Sequence, residues 1–170
     1  MWGRSRTPRD DPLGSVTLWD WAARAYARPG VEALCLTLQD AHGQCVSLLL
    51  WAAWTAKTGR QVEPVDLDAA VALAQVWESG VLRPLRAARR GLKTPVDGMP
   101  SAPQAALRTR IKAEELAAER LLLESLAVMT GGAADAGVDL ADTLRAAALA
   151  WGPSAPDDLL DALADAFSKA

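Results

Sequence analysis

Five basic side chains lie within eleven residues near the middle of the chain, with no acidic residue among them. They are Arg83, Arg86, Arg89, Arg90 and Lys93. All except Arg89 are spaced by three or four positions, which places them on one face of a helix. Such a face can bind an anion, namely the phosphates of a nucleic acid, a phosphorylated metabolite or an acidic partner.

Pairing within the chain is the other interpretation of this basic stripe. Glu114, Glu115, Glu119 and Glu124 lie on the longest predicted helix, and Glu115 and Glu119 are four residues apart. Carboxylates at this spacing repel each other by roughly a few tenths of a kcal/mol, and a facing arginine relieves the repulsion. We favour Arg-to-Glu packing between two helices over an anion site, although the residues alone leave both interpretations open.

Glu115 and Glu119 also resemble the carboxylates of a di-metal site in a helical bundle. Such sites use Glu-x-x-His pairs on facing helices as well. The chain has one histidine, His42, and no Glu-x-x-His pair. We therefore expect no bound metal and no cofactor.

A smaller polar cluster follows the second predicted helix. Gln39, Asp40 and His42 flank an apolar element, and Cys35 lies two turns from His42. Catalysis would need a further group in reach, and the sequence contains no recognisable one. It also has no glycine-rich phosphate loop, no Cys-x-x-Cys pair and no Gly-x-Ser-x-Gly turn. These residues therefore favour binding over catalysis.

Seven tryptophans, against one Tyr and one Phe, predict a dense core or an outer contact surface. Trp19 and Trp21 are two residues apart and cannot share a helix face, so one of them is expected to reach a second surface. Trp19, Trp21 and Trp151 are therefore candidates for an oligomer or partner interface, where tryptophan is enriched.

The elements that position these side chains are predicted to be helices throughout. Apolar periodicity, prolines and glycines place them at residues 18–28, 31–41, 44–57, 67–77, 84–92, 103–129, 140–150 and 158–167. Thr17, Asp66, Asp139 and Asp157 are expected as N-caps, and Gly80 and Pro84 should break or kink the chain between the fourth and fifth helices.

Two helices carry the strongest packing predictions. Residues 45–56 are apolar on nearly every face, so other helices must enclose them. The longest helix is expected to pack through one sector that contains Leu107, Ile111, Ala118, Leu121, Leu122 and Met129. The predicted fold class is all-α, a compact helical bundle around a buried central helix with a C-terminal helical tail.

Charge and composition divide the chain into three parts. Residues 1–14 are charged and contain two prolines, which predicts a flexible arm. Residues 1–130 carry 16 basic and 14 acidic side chains, whereas residues 131–170 carry 2 and 7. We expect a helical core at 15–130 and an acidic helical segment at 131–170, with its docking left open. Two cysteines and no apolar run of roughly 18–20 residues favour the cytoplasm and no membrane contact.

Five short blocks occur in a recognisable order. They are Leu-Trp-Asp at 18–20, Pro-Gly-Val-Glu at 29–32, Cys-Leu-x-Leu-Gln-Asp-x-His-Gly at 35–43, Pro-Leu-Arg-x-x-Arg at 84–89 and Glu-Leu-x-Ala-Glu at 115–119. Over about residues 15–130 the chain resembles a proteobacterial family of short proteins, domain of unknown function 2390. Ser47 stands where this family often has Asn.

The resemblance implies a bacterial, all-helical protein and brings no activity, cofactor or catalytic residue. It indicates where to look, since the signature polar residues are expected to meet in one network or to line a pocket. They are Gln39, Asp40, His42, Arg86, Arg89, Glu115 and Glu119.

The function expected from these residues is a non-enzymatic helical interaction module, a regulatory or accessory subunit that contacts a protein partner or a second copy. The alternative is a small-anion or metabolite-binding protein, or a weak enzyme, that uses residues 83–93 with Asp40 and His42. Nucleic-acid binding is third, because a pI of about 5.2 is unfavourable for a nonspecific binder.

Overall fold

The helices follow one another closely along the chain. The computed structural model describes residues 16–129, 137–152 and 154–169, so the predicted arm at 1–14 lies outside the described residues. In chain order the elements are α1 (Leu18–Tyr26), α2 (Val31–Asp40), α3 (Val46–Lys57), α4 (Pro64–Trp77), a π-helical segment (Glu78–Leu82), α5 (Arg83–Gly91), α6 (Ser101–Ala127), α7 (Leu140–Trp151) and α8 (Asp157–Ser168). The described residues contain no strand, which confirms the all-α fold class.

Helix α3 is the enclosed centre of the bundle. Every residue from Ser47 to Ala56 is buried. Leu49 is 1% exposed, and Leu50 and Trp54 are each 6% exposed. Helices α1, α2, α4, α6 and α7 all contact α3. The prediction of a buried central helix is therefore confirmed, and the reason is that this segment has no polar face to present to water.

Most helix ends follow from local hydrogen bonding. The Thr17 hydroxyl oxygen accepts a hydrogen bond from the Asp20 backbone N–H at 3.1 Å, and Asp139 Oδ1 accepts one from Asp142 N–H at 2.8 Å. The predicted caps at Asp66 and Asp157 are wrong. Helix α4 begins at Pro64, whose missing N–H costs nothing in the first turn, and Asp66 lies in that turn instead. Asp157 is likewise the first residue of α8, where its negative charge suits the N-terminal end of the helix.

The predicted break between the fourth and fifth helices is replaced by the π-helical segment. The chain stays helical from Pro64 to Gly91, and the Arg83 backbone N–H donates to the Glu78 carbonyl oxygen five residues earlier. One extra residue in the turn accommodates Pro84, which has no N–H to donate.

The C-terminal helices dock on the core. Helix α7 contacts α3, and α8 contacts α2. The Phe167 ring is fully buried, and its centroid lies 5.4 Å from that of Trp21. Arg28 Nη1 donates to the Ala166 carbonyl oxygen at 2.7 Å, which places a cation at the C-terminal end of α8. The acidic segment is thus joined to the bundle by apolar packing and by one arginine.

Only the second half of α6 packs against the core. Its buried residues are Glu115, Ala118, Leu122, Leu123 and Leu126. The predicted packing sector is wrong at Leu107 and Leu121, which are 40% and 54% exposed. The actual buried face is rotated away from them, because Glu115 and Leu126 lie inside and α6 meets α5 through charged side chains.

Replacing Phe167 with Ala is expected to lower the free energy of unfolding by about 3–5 kcal/mol, because the ring is fully buried against Trp21. Urea unfolding followed by tryptophan fluorescence measures this loss. The control is Leu149→Ala, which shortens an 81% exposed side chain and should change the stability by less than about 0.5 kcal/mol. Equal, small losses for both variants would contradict docking of α8 on the core.

Candidate functional site

The buried charges of the described residues meet at Arg86, on the side of α5 that contacts α6. Its Nη1 lies 2.5 Å from Glu78 Oε1, its Nη2 lies 3.1 Å from Glu119 Oε1, and its Nε lies 3.5 Å from Glu115 Oε1. Arg86 and Glu115 are each 8% exposed. A guanidinium carries five N–H donors in a plane, so one arginine can hold three carboxylates.

Arg89 adds a second contact between the same two helices. Its Nε lies 2.5 Å from Glu115 Oε2, and its Nη2 donates to Glu115 Oε1 at 3.2 Å. This two-point contact fixes the orientation of both side chains. We refer to Glu78, Arg86, Arg89, Glu115 and Glu119 as the ion-pair cluster. The cluster joins α5 to α6 through buried and half-buried charges.

Glu78 is the member of the cluster that sequence reasoning missed. It lies eight residues before Arg86, and two α-helical turns take about 7.2 residues. The π-helical segment uses one more residue per turn, so residues eight apart come onto the same face. The available signal was an acidic residue just before the Gly80 and Pro84 interruption, which could have suggested a π turn instead of a break.

The ion-pair cluster holds three carboxylates and two guanidiniums, and the pKa of Glu119 is raised. Burial is the largest cause, and repulsion from Glu115 and Glu78 adds to it, while Arg86 opposes the shift. Burial lowers the pKa of Arg86, but attraction to the carboxylates outweighs it, and the net pKa is raised. The hydrogen bond to Glu115 is the main cause that raises the pKa of Arg89. Glu119 therefore takes up a proton at a higher pH than an ordinary glutamate does.

An exposed pair joins α2 to α5 at the edge of the cluster. Arg90 Nη2 donates to Asp40 Oδ1 at 2.7 Å, and Gln39 Nε2 donates to the same oxygen at 3.2 Å. The hydrogen bond from Gln39 is the largest cause that lowers the pKa of Asp40, and Arg90 and Arg86 lower it further. Asp40 is accordingly a carboxylate at neutral pH.

The predicted signature residues are therefore brought together only in part. Arg86, Arg89, Glu115 and Glu119 form the ion-pair cluster with Glu78. Gln39 and Asp40 reach α5 through Arg90, at an exposed pair outside the cluster. His42 is half-buried, and its side chain makes no hydrogen bond or ion pair with the described residues.

A cleft of about 270 Å³ opens beside the ion-pair cluster. Its walls come from the C-terminal end of α2, the π-helical segment, α5 and the end of α7. The lining residues are Gln39, Asp40, Gly43, Gln44, Glu78, Arg83, Arg86, Ala87, Arg90 and Trp151. Arg83 and Lys93, the remaining members of the basic stripe, are exposed and make no ion pair with any described residue.

The three tryptophans predicted at an interface lie in different surroundings. Trp21 is 5% exposed and packs inward on Phe167, so its ring belongs to the core and not to an outer surface. Trp19 is half-buried, with the Arg120 guanidinium 5.5 Å from the ring centroid. Trp151 is also half-buried, and its Nε1 donates to the Gly43 carbonyl oxygen at 2.8 Å. Trp151 thereby anchors the end of α7 to the turn before α3.

Both cysteines are buried within the bundle as free thiols. Burial raises the pKa of Cys35 to about 12, and burial is also the largest cause that raises the pKa of Cys45 to about 12. At neutral pH neither thiol ionises, so neither is an active nucleophile. Within residues 16–129, 137–152 and 154–169, no group of three or more His, Cys, Asp or Glu side chains could hold a metal ion. None of the helices described is long and apolar enough to cross a membrane.

Replacing Arg86 with Met is expected to lower the free energy of unfolding by about 3–5 kcal/mol, because Glu78 and Glu115 lose their shared cation. Urea unfolding at neutral pH measures the loss. Arg83→Met, on an exposed position of the same helix, is the matched control and should change stability by less than about 0.5 kcal/mol. Equal urea midpoints for Arg86→Met and the wild type would show that the cluster does not stabilise the fold.

The raised pKa of Glu119 also makes stability depend on pH. Between the unfolded value of 4.5 and the higher folded value, the folded state binds more protons than the unfolded state, so the free energy of unfolding falls as the pH rises. Glu119→Gln removes this contribution. We expect the variant to gain stability relative to the wild type as the pH increases from 4.5 towards neutrality.

Urea midpoints for both proteins across this pH range test the expectation. Glu124→Gln removes one negative charge from an exposed position of the same helix and serves as the control. A difference between Glu119→Gln and the wild type that stays constant with pH would contradict the raised pKa.

Comparison with known proteins places the chain in a family. The family model for proteins of unknown function, DUF2390, matches residues 17–126. The match contains the whole ion-pair cluster and most residues that line the cleft, whereas α7 and α8 lie beyond it. No curated protein and no solved structure matches the chain. Because the matched residues make up more than half of its length, the chain belongs to the DUF2390 family.

Proposed function

We propose that this protein is a non-enzymatic helical interaction module, an accessory or regulatory subunit in a bacterial cytoplasm. The observation that carries the proposal is the charged helical hairpin at residues 83–112. It consists of α5, the loop at residues 92–100 and the first part of α6. We refer to it as the basic hairpin.

The basic hairpin is far more basic than the chain as a whole. Residues 83–112 carry eight basic side chains and one acidic side chain, in a protein of net charge −3. Arg86 and Arg89 are neutralised inside by the ion-pair cluster, and Arg90 pairs with Asp40. The other five basic residues, Arg83, Lys93, Arg108, Arg110 and Lys112, make no ion pair with any described residue. A partner of opposite charge is attracted to such a patch and oriented by it.

The hairpin also presents apolar side chains to solvent. None of the first fourteen residues of α6 is buried, and they extend over about 21 Å of helix. Val96 is 49% exposed, Met99 is 64% exposed and Leu107 is 40% exposed. Apolar contacts surrounded by charges are the composition of a protein interface. The partner that fits is therefore an acidic protein segment with an apolar face.

A nucleic acid fits the hairpin less well. Residues 83–112 contain no Phe, Tyr or Trp on which a base could stack. The whole chain has a pI of about 5.2, and seven acidic residues follow residue 130. These charges repel a phosphate backbone that approaches from other directions.

A second candidate function is the binding of a small molecule in the cleft beside the ion-pair cluster. The observation that favours it is that three arginines, two carboxylates and the buried Gln44 side chain line the same cleft. Such convergent polar groups are typical of ligand sites.

Charge reversal of the basic hairpin tests the first proposal. The double variant Arg110→Glu, Lys112→Glu changes two exposed hairpin residues, and Arg24→Glu, Lys169→Glu makes the same charge change elsewhere on the surface. Affinity capture from lysate of the native host, with cross-linking of the captured protein, is performed with both variants and the wild type. We expect the wild type to capture a protein whose acidic segment becomes cross-linked to the hairpin. The hairpin variant should lose this partner, and the control variant should retain it.

Two results would contradict the interaction module. The first is recovery of the same proteins by the hairpin variant and the wild type. The second is retention of DNA or RNA by the wild type with a steep salt dependence, which would assign the hairpin to nucleic acid instead. Light scattering at low and high salt shows whether the captured partner is a second copy.

A further inference from the structure

We infer that the cleft between α2, α5 and the end of α7 is a binding site for a small zwitterion of the α-amino acid class. The inference specifies the second candidate function, and it is independent of the partner that docks on the basic hairpin. Its basis is the presence of both charge signs, on Arg83, Arg90, Asp40 and Glu78, in the lining of one small cleft.

The cation that is available to a ligand is not Arg86. Its guanidinium is engaged by Glu78, Glu119 and Glu115 on its three nitrogens. Arg83 lines the same cleft and makes no ion pair with the described residues. Arg90 uses Nη2 on Asp40, which leaves its other N–H groups for a ligand. A carboxylate is the anion that matches a guanidinium, because two oxygens can accept two parallel N–H groups.

The two carboxylates that line the cleft each have one oxygen left for a ligand. Asp40 accepts hydrogen bonds at Oδ1, and Glu78 accepts at Oε1. The second oxygen of each carboxylate accepts no hydrogen bond from the described residues. An ammonium group has three donors and no acceptor, so a carboxylate oxygen with no other donor is a suitable partner for it. The cleft thus offers partners for one carboxylate and one ammonium group.

Three side chains in the cleft wall are held in place by the fold. Gln44 is 2% exposed and Arg86 is 8% exposed, so both are held by the fold rather than by solvent. Trp151 is fixed through its hydrogen bond to the Gly43 carbonyl oxygen at 2.8 Å, and it offers an apolar surface to a side chain. Fixed wall groups reduce the conformational entropy that the protein loses when a ligand binds.

Size and charge limit the ligand classes that suit the cleft. Its volume of about 270 Å³ is near the lower end of the roughly 300–1,000 Å³ of ligand pockets, so it suits a small molecule. A phosphate dianion would be repelled by the carboxylates of Asp40 and Glu78, and a polyamine would be repelled by the guanidiniums of Arg83 and Arg90. A ligand with both charge signs can place each of its charges beside an opposite charge of the lining.

Isothermal titration with the twenty common L-α-amino acids, at millimolar concentration, tests the inference on the full chain. Each amino acid that binds is compared with the amine that lacks its carboxylate and with the acid that lacks its ammonium group. We expect saturable one-site binding of at least one amino acid, with both analogues at least about tenfold weaker. The temperature of thermal unfolding should rise with the concentration of that amino acid.

Two variants locate the site. Arg83→Met and Asp40→Asn each remove one exposed charge from the cleft and should weaken binding by about tenfold or more while the unliganded protein unfolds at a similar temperature. Arg110→Met, on the basic hairpin outside the cleft, should bind as the wild type does.

Three results would overturn the inference. The first is that no amino acid gives a saturable heat of binding. The second is that inorganic phosphate or a single-charge analogue binds at least as tightly as the amino acid, and the third is that both cleft variants bind the amino acid with unchanged affinity. The charge-reversal variant Arg110→Glu, Lys112→Glu separates the two proposals, since loss of partner docking leaves amino-acid binding intact.

Discussion

The arrangement of α5 and α6 depends on a buried guanidinium held by three carboxylates. Taking Arg86 and its partners out of water costs several kcal/mol per ion, and only close pairing offsets that cost. Glu78 and Glu119 approach Arg86 at 2.5 and 3.1 Å, and Glu115 bridges it to Arg89. The contacts are directional, so they define one orientation of α5 on α6, which an apolar interface of similar area would leave less defined.

This cluster also decides which charges remain for function. It neutralises Arg86 and Arg89 inside the bundle, whereas Arg83, Lys93, Arg110 and Lys112 remain exposed without an ion pair among the described residues. The consequence is a hairpin that is basic on its outer surface and fixed at its base. The cleft lies where the same cluster meets α2, so Arg86 and Glu78 belong to both the structural core and the cleft wall. One set of charges therefore supports both proposed surfaces.

Sequence patterns predicted much of this structure, and the misses have physical causes. The lack of any polar face on residues 45–56 was sufficient to predict the enclosed α3. Single hydroxyl or carboxylate groups predicted the caps at Thr17 and Asp139. Glu78 was missed because α-helical spacing puts it on a different face from Arg86, and only the π turn aligns the two. Leu107 and Leu121 were assigned to the core because the prediction used only the spacing of apolar residues. That spacing cannot show that the buried face of α6 contains a charged residue, Glu115. The docking of α7 and α8 depends on long-range contacts, such as Trp21 with Phe167, that no local pattern contains.

A double-mutant cycle between Arg86 and Glu78 tests the central claim most directly. Urea unfolding is measured for the wild type, Arg86→Met, Glu78→Gln and the double variant. If the π turn aligns these side chains into a stabilising pair, the coupling energy should be about 1–3 kcal/mol, because each single variant then loses the same contact. The claim is contradicted if the two single variants' losses in free energy of unfolding sum to the loss of the double variant within about 0.5 kcal/mol, because residues whose effects are additive do not interact.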